Sequence, residues 1–447
     1  MERRRLIWTL TYLACILTLI WPALYNGYPI LYSDSASYVA SGMRLETPAD
    51  RPITYGLFIR VTSIGGFTLW TTIACQAAMV VRVLQLLLLR MRPGKALHPL
   101  SLLAVVLALG VLTGLPWIVS QVMADIFTPL MVLSAVLLFL PSRMNIPRYQ
   151  RNLLYLLFFF CVAVHLSHPV QVAVLMGGLV VLRWLLNRWC DMSIPLLPVG
   201  IMSALAVLAY PIMMSAVAKS GNIMFMGAMA EHGVAKAYLD EKCATEAFKL
   251  CAWKDRFPER AFQFHWDEKG PIGDYASRSE ANTAFGPIVR GTLTEPKFIA
   301  LQATASWKAM LKQLGMYAIG DGWGPFREGS DVYYVLTRHM RHDLWAITSS
   351  RQYLERMDVI PDFIHLHSWV VRGSLLALIP LVLLTYRSRR MDVLALIVIC
   401  LAGLVLNAWG SGTFSGEVDR FGCKMIWMLP MLVVLATTAL VRSEEAA

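Results

Sequence analysis

Charge is the first thing this sequence is short of. Only 15% of its 447 residues are charged, while 57% are hydrophobic. A soluble domain carries closer to about a quarter charged residues. Long stretches hold no acid at all, and several run about twenty apolar residues, enough to cross a hydrocarbon core. Their apolar character is continuous rather than alternating, which excludes a β-barrel. Motif absences narrow the chemistry further. There is no nucleophile elbow, metalloprotease helix, dinucleotide fingerprint or ATP-binding loop, so an ATP-driven pump is disfavoured. Of the eight cysteines, none stands with His or Cys at zinc-ligand spacing, and no metal site is assigned. No basic face separates from the loop charges, so the net charge of +11 does not indicate nucleic acid. Basic residues collecting in short cytoplasmic loops account for most of it.

What is present reads as an all-α polytopic membrane protein with about ten transmembrane helices. "MERRRLIWTLTYLACILTLIWPAL" has a basic start, but its apolar segment is too long for a signal peptide and lacks a cleavage site. It is read as an uncleaved first span, with Arg3 to Arg5 on the cytoplasmic side. Spans are expected near 6–24, 67–89, 98–118, 122–140, 152–167, 170–187 and 194–216, then three more within 363–447. The loops assigned inside, such as "RMRPGK" and "YRSRR", are basic, placing both termini in the cytoplasm. The chain thus divides into spans one to seven (1–216, with an outside loop over 25–66), an outside segment (217–362) and spans eight to ten (363–447). More than half of the 29 acids fall in the 217–362 segment, which reads as a mainly helical subdomain. Cys243 and Cys251 lie within it, able to form a disulfide in an oxidising compartment.

Few polar groups are left to carry chemistry. Asp125, in "GLPWIVSQVMADIFTPL", is an acid at the edge of a span, costly unless functional or paired. Asp34, in "YSDSASY", opens the first outside loop and faces the same side. Taken alone Asp34 also reads as a helix cap, and Asp125 as a helix-end acid satisfied by water or arginine. Together, two carboxylates from separate loops can act as base and orienting partner, or hold a divalent cation. Cations on that side are Arg51 in "RPITYGLF", and Arg420 and Lys424 in "EVDRFGCKMIW". The last two either contact phosphate or anchor in headgroups; an outside position, against the positive-inside rule, favours the former. His165 and His168 in "HLSHP" share a helix face at the end of span five and read as interfacial polar residues beside Pro169, as substrate or phosphate contacts, or as metal ligands. "TRHMRHDLW" (337–345) reads as a solvated helix face, and the glycine-rich "GDGWGPFREGSD" (320–331) as a mobile or substrate-covering loop.

A first span, an outside loop opening on "YSDSASY", then "RPITYGLFIR" and an acid in the second outside loop resemble the GT-C glycosyltransferases. These include protein O-mannosyltransferases and the aminoarabinose transferase acting on lipid A. The likeness covers roughly residues 6–140. Many members pair two acids in the first loop, whereas here Ser35 follows Asp34. The resemblance implies a polyprenyl-phosphate sugar donor and a lipid, glycan or protein acceptor. It places the enzyme in a bacterial inner membrane with its active site facing the periplasm. Asp34 would then be the general base and Asp125 its partner, with Arg51, Tyr55, His165, His168, Arg420 and Lys424 as substrate and phosphate contacts. Two other readings stay open: an O-antigen ligase or polysaccharide polymerase using the 338–342 cluster, and a non-enzymatic transporter of lipid-linked glycans.

Overall fold

The computed structural model describes residues 2–91, 96–140, 146–189, 196–267, 269–357 and 360–441. Among them every regular element is helical. Much of "RMRPGK", the start of the loop at 141–151, Asp191 and Arg442 lie outside the described residues.

The first half of the chain comprises α1 (Glu2–Leu19), α2 (Trp21–Asn26), α3 (Ser33–Arg44), α4 (Thr54–Thr62), α5 (Trp70–Met91), α6 (Pro99–Leu112), α7 (Leu115–Val119), α8 (Phe127–Phe139), α9 (Arg148–Ala163), α10 (His168–Trp189) and α11 (Leu196–Glu231). There follow α12 (Val234–Lys242), α13 (Ala261–Trp266), α14 (Arg278–Thr294), α15 (Pro296–Leu314), α16 (Asp331–His339) and α17 (Leu344–Ser349), then α18 (Ile360–Arg387), α19 (Met391–Phe414), α20 (Asp419–Ile426) and α21 (Met428–Leu440). Among the described residues the expected apolar segments fall on helices. Six helical stretches among the described residues are long and apolar enough to cross a membrane: Trp70–Met91, His168–Leu185, Leu196–Met213, Pro361–Arg387, Met391–Phe414 and Asp419–Leu440. That is compatible with a multi-pass membrane protein. Pro99–Leu112 and Ala124–Phe139 are apolar but shorter, and α1 carries four charges in its first turn.

Helix ends depart from the expected boundaries for local reasons. The first segment breaks at Ile20, ahead of Pro22 in α2. The third stops at Leu112, because Thr113 is extended and Pro116 starts the separate turn α7. The seventh runs on to Glu231 as one helix of 36 residues containing Pro211, so the boundary expected at 216 is no break in structure.

The 217–362 segment is mainly helical, but it serves two cores. Residues from Ile223 to Ala305 build their own, around Phe264, Phe285 and Phe298. Ile319, Val332, Leu336, Met340 and Ile347 instead join the core of the apolar bundle. Cys243 and Cys251 form a disulfide, with Cα atoms 5.9 Å apart. Closing a loop of that length is worth about 2–3 kcal/mol. Cys243→Ser should therefore lower the unfolding free energy of this subdomain by about that much, read by limited proteolysis across a denaturant series.

His265 on α13 is 4% exposed, and its Nε2 donates to the Met224 carbonyl at 3.1 Å. Burial lowers its pKa to about 4, even though the Met224 bond acts in the opposite direction. A depressed histidine favours the neutral folded form, so its contribution is complete above about pH 6.5 and is lost as pH falls towards 4. We expect up to about 3 kcal/mol of stability to disappear over that window. His265→Gln should flatten this part of a stability-against-pH curve.

Candidate active site

A short backbone clip brings the two candidate acids together. Ile30 N–H donates to Ser120 O at 2.9 Å, and Val122 N–H donates to Ile30 O at 3.0 Å. This parallel bridge ties the chain after α2 to the chain after α7. Gln352 locks the same segment: its Oε1 accepts from Leu31 N–H at 2.9 Å and its Nε2 donates to Leu31 O at 2.8 Å. Ser35 completes the join, accepting from Tyr32 N–H at 2.9 Å and donating to Val122 O at 3.0 Å. Behind the site α3 crosses α4 so closely that a Cβ on Gly42 would lie 2.0 Å from Gly56 O. Only glycine permits that crossing.

Asp34 is the second residue of α3, not its cap, a position held by Tyr32. Its Oδ1 meets Arg51 Nη2 at 3.0 Å and its Oδ2 meets Arg420 Nη1 at 3.1 Å. Arg420 reaches further, its Nε standing 3.6 Å from Asp125 Oδ2. Lys424 Nζ lies 3.5 Å from Asp125 Oδ1. One guanidinium thus joins both acids, and a spacing of four on α20 presents Arg420 and Lys424 on one face. Asp50 pairs with Arg51 at 2.5 Å. Tyrosine rings cover the cations, Tyr38 with its centroid 4.9 Å from the Arg51 guanidinium and Tyr32 at 4.3 Å from that of Arg420.

Three carboxylates therefore face three cations in a site mostly closed to water. Asp125 is 2% exposed. Burial alone would raise the Asp34 pKa, but the Arg51 and Arg420 guanidiniums overcome it and hold the carboxyl at about 2. Arg51 Nη1, Arg420 Nε and Asp125 Oδ2 are buried without a hydrogen-bond partner among the described residues. Buried polar atoms of this kind normally find one. The charged cluster therefore retains unmet hydrogen-bonding capacity of its own.

The remaining expected residues lie nearby in differing roles. Tyr55 is fully buried and donates to Gln76 Oε1 at 2.6 Å, behind Tyr38 rather than in the charged cluster. His168 is also fully buried, with Nε2 3.0 Å from Thr128 Oγ1 and Nδ1 2.5 Å from Cys161 O. Its ring stacks on His165 at 5.0 Å. Arg338, Arg341 and His342 are exposed. In the same stretch Asp343 turns inward, accepting from Tyr28 Oη at 2.8 Å and Leu69 N–H at 3.0 Å. Asp125 and Asp34 have guanidinium or ammonium groups between and around them rather than a shared centre for an ion. Among the described residues no three His, Cys, Asp or Glu side chains are grouped to hold a metal.

Sequence reasoning missed Tyr32, Tyr38, Asp50 and Asp321. Asp321 Oδ2 accepts from Arg420 N–H at 3.3 Å, bringing the glycine-rich loop onto α20. The next residue, Gly322, has φ +77° and faces the Tyr32 ring, where a Cβ would lie 2.1 Å away. Asp50 had a visible signal, since it adjoins Arg51 in "ADRP". The tyrosines had none, because aromatic residues are common at membrane interfaces. No known protein-family model matches the chain, and neither does any curated protein or solved structure.

Proposed function

We propose that this chain is an integral-membrane glycosyltransferase of GT-C type, with about ten spans. It would act on the periplasmic face of a bacterial inner membrane, moving a sugar from a polyprenyl-phosphate donor to a lipid, glycan or protein acceptor. The observation that carries the reading is Arg420 shared between Asp34 and Asp125, beside Arg51 and Lys424. Such a cluster can exchange its internal carboxylate partners for a phosphate, which guanidinium groups bind bidentately.

In the transfer the acceptor oxygen attacks the anomeric carbon and the bond from that carbon to the phosphate oxygen breaks. The acceptor proton passes to Asp34. The bonding pair leaves with the lipid phosphate, whose charge Arg51, Arg420 and Lys424 balance. With its pKa at about 2, Asp34 is ionised but a weak base while both arginines hold it. As donor phosphate draws those arginines away, the carboxylate becomes more basic where the proton must be taken. Displacement at one face inverts the anomeric centre. The ligase or polymerase alternative draws no support from Arg338, Arg341 and His342, which are exposed.

The test is complementation of a deletion strain with Asp34→Asn and Asp125→Asn, followed by mass analysis of envelope glycans. Loss of one glycan modification with each variant, at normal protein level, supports the reading. An unchanged glycan profile with Asp34→Asn refutes it.

A further inference from the structure

A second feature adjoins the charged cluster. Ile118, Gln121, Asp321, Trp323, Arg420 and Cys423 line a slot between α7, the 318–323 loop and α20. It offers about 10 Å3 to a water-sized group, the room one water or one hydroxyl requires. Two of its walls carry unmet hydrogen-bonding capacity. Gln121 is 2% exposed, and its Oε1 has no partner among the described residues. Trp323 Nε1 is likewise buried without a partner, its indole stacked on Trp117 at 5.2 Å. Asp321 adds a carboxylate on the same lining.

The combination is selective. Gln121 Oε1 and Asp321 can only accept, whereas Trp323 Nε1 can only donate. A phosphodiester has no proton to give the two acceptors, and any phosphate anion is repelled by Asp321. An ammonium group has nothing to offer the indole N–H. An alcohol hydroxyl both donates and accepts, so a single group can engage both kinds of partner at once. We infer that this slot is a hydroxyl-binding subsite, taking one hydroxyl of a glycosyl group while its ring remains outside. Arg420 borders both the slot and the charged cluster, so a sugar seated here lies beside the groups that bind its phosphate or receive its new bond. The assignment rests on the transferase reading for its role in turnover; its affinity for hydroxyls stands on the slot alone.

Saturation-transfer NMR on the full chain in nanodiscs tests it, with methyl α-D-glucoside, methyl α-D-mannoside and 1,2-cyclohexanediol as probes and inorganic phosphate as competitor. At least one diol probe should receive saturation from the wild type and equally from Asp34→Asn. Trp323→Phe removes the N–H while keeping a stacked ring, and Gln121→Met removes the acceptor. Each should cut the signal about tenfold, the loss expected when one buried hydrogen-bond partner is removed. Phosphate should not compete. No transfer to the wild type, unchanged transfer in both variants, or displacement by phosphate overturns the subsite. Diol binding that persists when Asp34→Asn leaves envelope glycans unchanged would sink the transferase and spare the slot. Glycan loss with Asp34→Asn, without any diol binding, would do the reverse.

Discussion

On the transferase reading, replacing Asp34 by Asn should lower turnover about a thousandfold while the protein accumulates normally. A positioned general base contributes about 10²–10⁴-fold, and the amide keeps the carboxylate's shape while losing its basicity. Folding should survive, since Arg51 retains Asp50 and Arg420 retains Asp125. The pH profile adds a readout that a structural role would not move. In the free enzyme Asp34 titrates at about 2, so kcat/KM should show no acid limb from this group above about pH 4. In the donor complex the arginines are shared with phosphate, so the limb in kcat should lie at higher pH. Superimposable acid limbs for the two parameters would refute exchange of the arginines between carboxylate and phosphate.

Arg420→Met should be the most damaging single change to stability. It leaves Asp34 with Arg51 alone and Asp125 with Lys424 alone, in a site where Asp125 is 2% exposed. Breaking a buried pair by removing one partner costs about 3–5 kcal/mol. Because the Asp34 side chain retains 22% exposure, a value near the lower end, about 3 kcal/mol, is expected in thermal or denaturant unfolding. Adding Asp125→Asn should restore part of this loss, because the stranded charge is then removed. Activity should not return with it. An Arg420→Met protein as stable as the wild type would mean that the cluster is solvated and that the shared arginine has little weight.

Much of the helical layout was legible because apolar runs report it directly. The ten segments, the helical character of 217–362 and the Cys243–Cys251 pair could all be read locally. Segment ends were harder: Pro116 and Ile20 interrupt the expected spans, and α11 continues through a stretch that only looked like a boundary. For the site, the acids stood out through their scarcity and the cations through their position in the topology. Their convergence was not visible, since it depends on the Ile30 clip, on Gln352 and on Gly42 against Gly56. Each of these joins distant residues through backbone atoms or a missing side chain. Tyr55 shows the opposite limit, because a motif gives the residue but not the direction of its hydroxyl.

The Arg420–Asp34 pair spans 386 positions of chain. During synthesis the acids and Arg51 are made early, whereas Arg420 and Lys424 arrive with the Asp419–Leu440 segment. Until that segment is inserted, Asp125 has neither of its two cationic partners, and an uncompensated carboxylate favours water over a closed interior. Completion of the site therefore waits for residues 420–424. Before they join it, Asp34, Asp50 and Asp125 have only Arg51 among the cations of the cluster, and the crevice is acidic.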